Sequence, residues 1–151
     1  MSASDVFTIV GSALNAQDAR MSAIASNLAN VDSVTPPGSA PYRAHEVVFE
    51  AAPVDMAENG VNAPNNANGA ALPDMGVSVA GTVLSNAPPK TEYDPGNPYA
   101  NAQGYVTSSN VSQVGQMVDL IDSSNTYAAS VAVLQQASRV DQQMLSSFQV
   151  A

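Results

Sequence analysis

The sequence predicts an α+β fold: long N- and C-terminal helices forming an intersubunit coiled-coil layer, with a small β-rich module between them. Three observations predict it. Apolar residues keep a seven-residue repeat near the N-terminus. A second apolar stripe runs toward the C-terminus for 38 residues without a proline, and all 10 prolines and seven of the nine glycines fall between the two. The chain divides accordingly into a helix over 1–31, a β-rich middle over 32–109 with a loop at 55–74, and a helix over 110–151.

The first helix rests on Phe7, Val10, Leu14, Gln17, Met21, Ile24 and Leu28, which occupy the a and d positions of a heptad and continue to Val31. A sustained 3.5-residue period argues for packing against other helices rather than on a sheet. Ser2 or Ser4 offers an N-cap, and Asp5 puts a carboxylate where the helix dipole favours it. Asn30, Asp32 and Ser33 followed by Pro36-Pro37-Gly38 supply the stop.

The second helix is expected over Val111–Phe148, with a stripe of Val114, Met117, Ile121, Tyr127, Val131, Leu134, Leu145 and Phe148. Asn110 or Ser112 could cap its first amides, with Gln113 reaching back. Capping explains Asn110 better than the lone Asn110-Val-Ser112 glycosylation sequon does. At a rise of ~1.5 Å per residue such a helix spans roughly 57 Å, longer than a chain of this size can cover by itself. Small residues beside both stripes (Ala13, Ala16, Ala23, Ser26, Ala128, Ala129, Ser130, Ala132) permit close helix contacts on several sides. Assembly with other subunits fits this pattern. Periodicity alone leaves open an internal helical hairpin, which would make the chain a secreted binding or scaffolding module.

In the middle, Tyr42–Glu50 and Val77–Leu84 have the β-branched content and alternation of strands, with shorter strands at Thr91–Tyr93 and Tyr105–Thr107. Pro88-Pro89 and Asp94-Pro-Gly-Asn-Pro98 punctuate them as turns. Asp55–Asp74, rich in Ala, Asn, Gly and Pro, has too little apolar surface for a core and reads as an exposed loop. With 11% charged and 5% aromatic residues and no Trp, the module has a thin core.

Composition also excludes functions. Thirteen acids against four bases, a formal net charge of −9, argue against nucleic acid and against an anionic membrane, both of which need clustered cations. The acidity itself serves solubility. Without Cys there is no disulfide, thiolate nucleophile or Cys-based metal site. No apolar run reaches the ~20 residues of a membrane span, and no cleavable signal peptide is expected at the N-terminus. His45 is the only histidine and reads as a partly exposed strand residue. Asp119 and Asp122 share a helix face without a base or ligand beside them and read as solvated. No catalytic, cofactor-binding or metal-binding residue is therefore expected, and no cofactor.

Ala25-Ser-Asn-Leu-Ala-Asn30, followed by Val31-Asp-Ser-Val-Thr35, resembles the signature segment of the flagellar basal-body rod and hook family. Ser109–Ile121, Ser123–Tyr127 and Val133-Leu-Gln135 resemble its C-terminal segment. Pro41-Tyr-Arg43 through Phe49, Tyr93–Tyr99 and Gly104-Tyr-Val106 are similar to its proximal rod members, as is the short length. The loop at 55–74 is longer than that pattern needs, and Asp141 falls on a continuation of the C-terminal stripe.

The resemblance implies a structural rod subunit, not an enzyme. It implies terminal helices that pack with those of neighbouring copies and other rod proteins, transmitting torque, and a β module that faces outward. It also implies export by the flagellar type III apparatus without a cleaved signal, and assembly in the periplasmic basal body. On that basis the subunit contacts are expected at Phe7, Val10, Leu14, Met21, Ile24, Leu28, Asn30, Val114, Met117, Ile121, Tyr127, Val131, Leu134 and Leu145. Stripes longer than one chain can bury imply termini that order only when neighbours cover them.

Overall fold

The computed structural model describes residues 3–53 and 75–149, so the loop expected at 55–74 and the cap expected at Ser2 lie outside the described residues. Among these residues the order is α1 (Ala3–Ala29), β1 (Val34–Thr35), β2 (His45–Pro53), β3 (Met75–Leu84), β4 (Lys90–Tyr93), β5 (Tyr105–Ser108) and α2 (Gln113–Gln149). The α+β class is as expected.

Helix α1 carries Asp5 in its first turn and ends where its side chains begin to compete for the backbone. Asn30 Nδ2 donates to the Ser26 carbonyl at 2.8 Å, covering one of the acceptors a helix end leaves open. Ser33 Oγ donates to the Asn30 carbonyl at 2.8 Å and holds the turn. Gly38 sits at φ 89°, a conformation that favours glycine, and Ser39 N closes the Pro36–Ser39 turn by donating to the Pro36 carbonyl.

The strands form two sheets, one of β1-β5-β4 and one of β2-β3. In the first, β5 runs antiparallel to both neighbours, with Val34 opposite Ser108 and Tyr93 opposite Tyr105. The Tyr93 and Tyr105 rings meet edge to face at 5.3 Å. Strand β2 begins at His45 rather than Tyr42, because Tyr42, Arg43 and Ala44 spend their hydrogen bonds on other elements.

The chain forms two compact units, and both helices and the β2-β3 pair contribute residues to each. One holds residues 1–18, 49–80 and 125–151. There Val10 and Ala16 of α1 are buried, and Val77 N of β3 donates to Ser12 Oγ at 3.1 Å while that hydroxyl donates to the Ile9 carbonyl. The other holds residues 19–48 and 81–124, with a core of Ile24, Ala44, Val106 and Val111 around buried Asn27, Ser109 and Ser123. No aromatic residue is buried among those described, and the core is thin as expected.

Candidate assembly interface

In the second unit, Asn27 joins three elements. Its side chain is 1% exposed. Nδ2 donates to the His45 carbonyl at 2.9 Å and to Gln116 Oε1 of α2 at 2.8 Å. Oδ1 accepts from His45 N at 2.8 Å and from the Tyr42 hydroxyl at 3.1 Å. Tyr42 Oη also lies 2.8 Å from His45 Nδ1, so His45 serves this network. A buried amide with all its bonds made fixes geometry, because any slip would strand a desolvated polar group. Asn27 thus holds the end of α1, the start of β2 and the first turn of α2 in one register.

The start of α2 is fixed twice more. Ser109, fully buried, donates from N to the Ser33 carbonyl at 3.1 Å and from Oγ to the Val31 carbonyl at 2.7 Å. Asn110 Oδ1 accepts from Ala44 N at 2.7 Å, and its Nδ2 donates to the carbonyls of Ala87 and Ser85. Asn110 is therefore not the cap, because its amide is turned to the β module. Ser112 caps instead, its Oγ accepting from Gly115 N at 3.3 Å. Arg43 spans the same region, with Nε donating to the Ser85 carbonyl and Nη2 to the Leu84 carbonyl and Asn86 Oδ1.

So held, α2 presents a face that the described residues leave uncovered. Val114, Met117, Val118 and Ile121 fall at i, i+3, i+4 and i+7 and are 73%, 52%, 60% and 63% exposed. Inward in this unit point Gln116, Leu120 and Ser123. In the other unit, Ser130, Val131, Leu134, Ala137, Ser138 and Asp141 of α2 are half-buried, while Val133, Val140 and Met144 are exposed.

The expected stripe therefore divides between two faces. Val114, Met117 and Ile121 look outward, Val131 and Leu134 are half-buried, and Tyr127 is 36% exposed. The side chain of Leu145 lies outside those described. The α1 seam is different: Val10 and Ile24 are buried, and Phe7, Leu14, Met21, Leu28 and Asn30 are half-buried. Val118 belongs with the outward set. It was missed because a stripe drawn from Val114 through Met117 to Ile121 steps past it, although the i+4 spacing from Val114 was visible.

Beside the outward face the second unit has a half-open cavity of about 310 Å³, whose lining includes Arg20, Glu46, Asp119, Asp122 and Ser123. The described residues contain no group of three or more His, Asp or Glu able to hold a metal ion, and no helix long and apolar enough to cross a membrane.

Comparison with known proteins agrees with this architecture. Residues 8–36 match the family model for flagella basal body rod proteins, and residues 102–147 match the C-terminal model of flagellar basal body rod FlgEFG proteins. The chain is similar to the flagellar basal-body rod protein FlgC of Salmonella typhimurium, at 48% identity over 86% of both chains. It is 43% identical to the FlgC of Yersinia enterocolitica over 89% of both chains. To that of Bacillus subtilis it is 33% identical, over 89% of this chain and 90% of the relative.

Proposed function

The chain belongs to the flagellar basal-body rod protein family, close to FlgC, and from that premise we propose that this structural subunit polymerises through its terminal helices and transmits torque through them. The observation that carries the proposal is the outward face of α2: Val114, Met117, Val118 and Ile121, each more than half exposed. Removing one such side chain from water is worth about 1.5–3 kcal/mol when burial is complete. A neighbouring helix gives that face the cover that the described residues do not supply.

The α1 seam of Phe7, Val10, Leu14, Met21, Ile24 and Leu28, with Asn30 at its end, contributes where its half-buried members still meet solvent. Tyr127, Val131, Leu134 and Leu145 extend the contact along α2. Neighbours are further copies and other rod proteins. Delivery is by the flagellar type III export apparatus to the periplasmic rod. The segments at 1–31 and 110–151 are the polymerising elements, and the module at 32–109 faces away from the helical layer.

Coupled ordering is part of the same mechanism. The Asn27 network ties the inner ends of both helices within one chain. The distal turns order fully on assembly.

The test is Ile121→Asp. Ile121 is 63% exposed, so the chain keeps its fold. The new carboxylate, pressed into an apolar seam, costs several kcal/mol as an order of magnitude. Basal bodies from such cells are expected to stop short of a complete rod while the chain is still exported. Normal rods and swimming would contradict the proposal.

A further inference from the structure

We propose that the cavity beside the outward face of α2 receives a cationic side chain, the guanidinium or ammonium group of an adjacent rod subunit. This rests on the assembly role proposed above and specifies the chemistry of the partner. Three carboxylates line the cavity, Glu46 of β2 and Asp119 and Asp122 of α2, against the single guanidinium of Arg20. Three carboxylates against one guanidinium give these four side chains a formal charge of −2.

The position of the two aspartates makes this charge matter. Asp122 lies four residues beyond Val118, next to it on the surface of α2, and Asp119 lies three residues before Asp122. A neighbour that covers Val118 draws water away from the carboxylate of Asp122 beside it. Asp119 Oδ2 accepts one bond, from Gln116 Nε2 at 3.3 Å, which leaves its charge unpaired. A carboxylate desolvated without a cation is strongly unfavourable, and a cation on the covering surface offsets that cost.

An independent observation points into the same cavity. Ser123, one of its lining residues, is 1% exposed, and its Oγ has no hydrogen-bond partner among the described residues. A helical serine can return its hydroxyl to the carbonyl one turn earlier or turn it to solvent; Ser130 does the first, to Thr126 at 2.9 Å. In Ser123 the hydroxyl oxygen remains available to accept a bond from an N–H donor. A guanidinium or ammonium entering from outside meets the exposed carboxylates of Asp119 and Asp122 first and reaches that buried oxygen as the lining parts.

The experiment compares three variants in flagellated cells carrying each as the only copy. They are Asp119→Asn with Asp122→Asn, Asp119→Lys with Asp122→Lys, and Ile121→Asp. Export of the chain and complete rods in isolated basal bodies are both measured. Charge reversal is expected to lower complete rods by at least about tenfold, since like charges across an interface cost several kcal/mol. Neutralisation is expected to give a smaller loss, with export unchanged in both. Swimming revertants of the lysine variant are expected to carry Lys or Arg replaced by Asp or Glu in another rod subunit.

Wild-type swimming by the asparagine pair, which keeps size and shape, would overturn the cation pairing. That holds whether or not the lysine variant is stable. If Ile121→Asp alone blocks assembly, the apolar interface stands and only the pairing fails. If Ile121→Asp also swims normally, the assembly role itself fails.

Discussion

Replacing Asn27 by alanine should loosen the junction of α1, β2 and α2. The substitution removes two donated and two accepted hydrogen bonds. Tyr42 and Gln116 keep other partners, His45 Nδ1 and Asp119 Oδ2 respectively. The backbone N–H and C=O of His45 both lose the Asn27 side chain. Each buried backbone group left unmade costs about 1–3 kcal/mol, so a local loss of about 3 kcal/mol is expected. That is a large share of the ~5–15 kcal/mol available to a whole domain.

The assay is hydrogen exchange of the full chain followed at the His45 amide. Its exchange should accelerate by about two orders of magnitude, since 1.4 kcal/mol corresponds to tenfold. Asn27→Asp should also accelerate it, because a carboxylate would face the His45 carbonyl and Gln116 Oε1 without a donor. An unchanged His45 exchange rate in the alanine variant would refute the role given to Asn27.

Gly104 sits at φ 81°, and a Cβ there would lie 2.9 Å from Tyr93 Cε2 and 3.3 Å from Pro95 Cβ. Gly104→Ala should cost about 1–3 kcal/mol and lower Tm by several degrees in a thermal melt followed by circular dichroism, and an unmoved Tm would contradict the strain. Arg43→Lys replaces a three-bond fork by a point charge and should cost about 1–2 kcal/mol in urea unfolding, whereas full retention of stability would mean the fork is dispensable. In the soluble chain, amides in the distal turns of α1 and α2 should exchange far faster than those near Asn27 and Gln116, and uniform strong protection would sink the coupled ordering.

What could be read from the sequence was what is local. The α1 heptad needed only a 3.5-residue period, and its a and d residues are all buried or half-buried. The outward face of α2 was only partly legible, because its apolar residues populate more than one side. Counting apolar residues joins Ile121 to Val131 and Leu134, whereas the inward row includes Ser123, Ala137 and Asp141. Burial there is decided by a close neighbour, which small and polar residues allow.

Long-range partners were the least visible. Asn27 bonds to Gln116, 89 positions away, and nothing in the spacing of either residue announces it. The two-residue strand β1 exists only because β5 lies beside it. Asn110 and Ser112 are both good caps by residue type. The Ala44 amide 2.7 Å from Asn110 Oδ1 decided between them.

The most direct test of the assembly role is the composition of the rod itself. Flagellar basal bodies would be purified from cells carrying a tagged copy of this chain and examined by mass spectrometry, alongside basal bodies from cells lacking it. The account predicts the chain in the purified structures and rods stalled when it is deleted. A chain found only as a soluble monomer, with rods and motility intact on deletion, would contradict it.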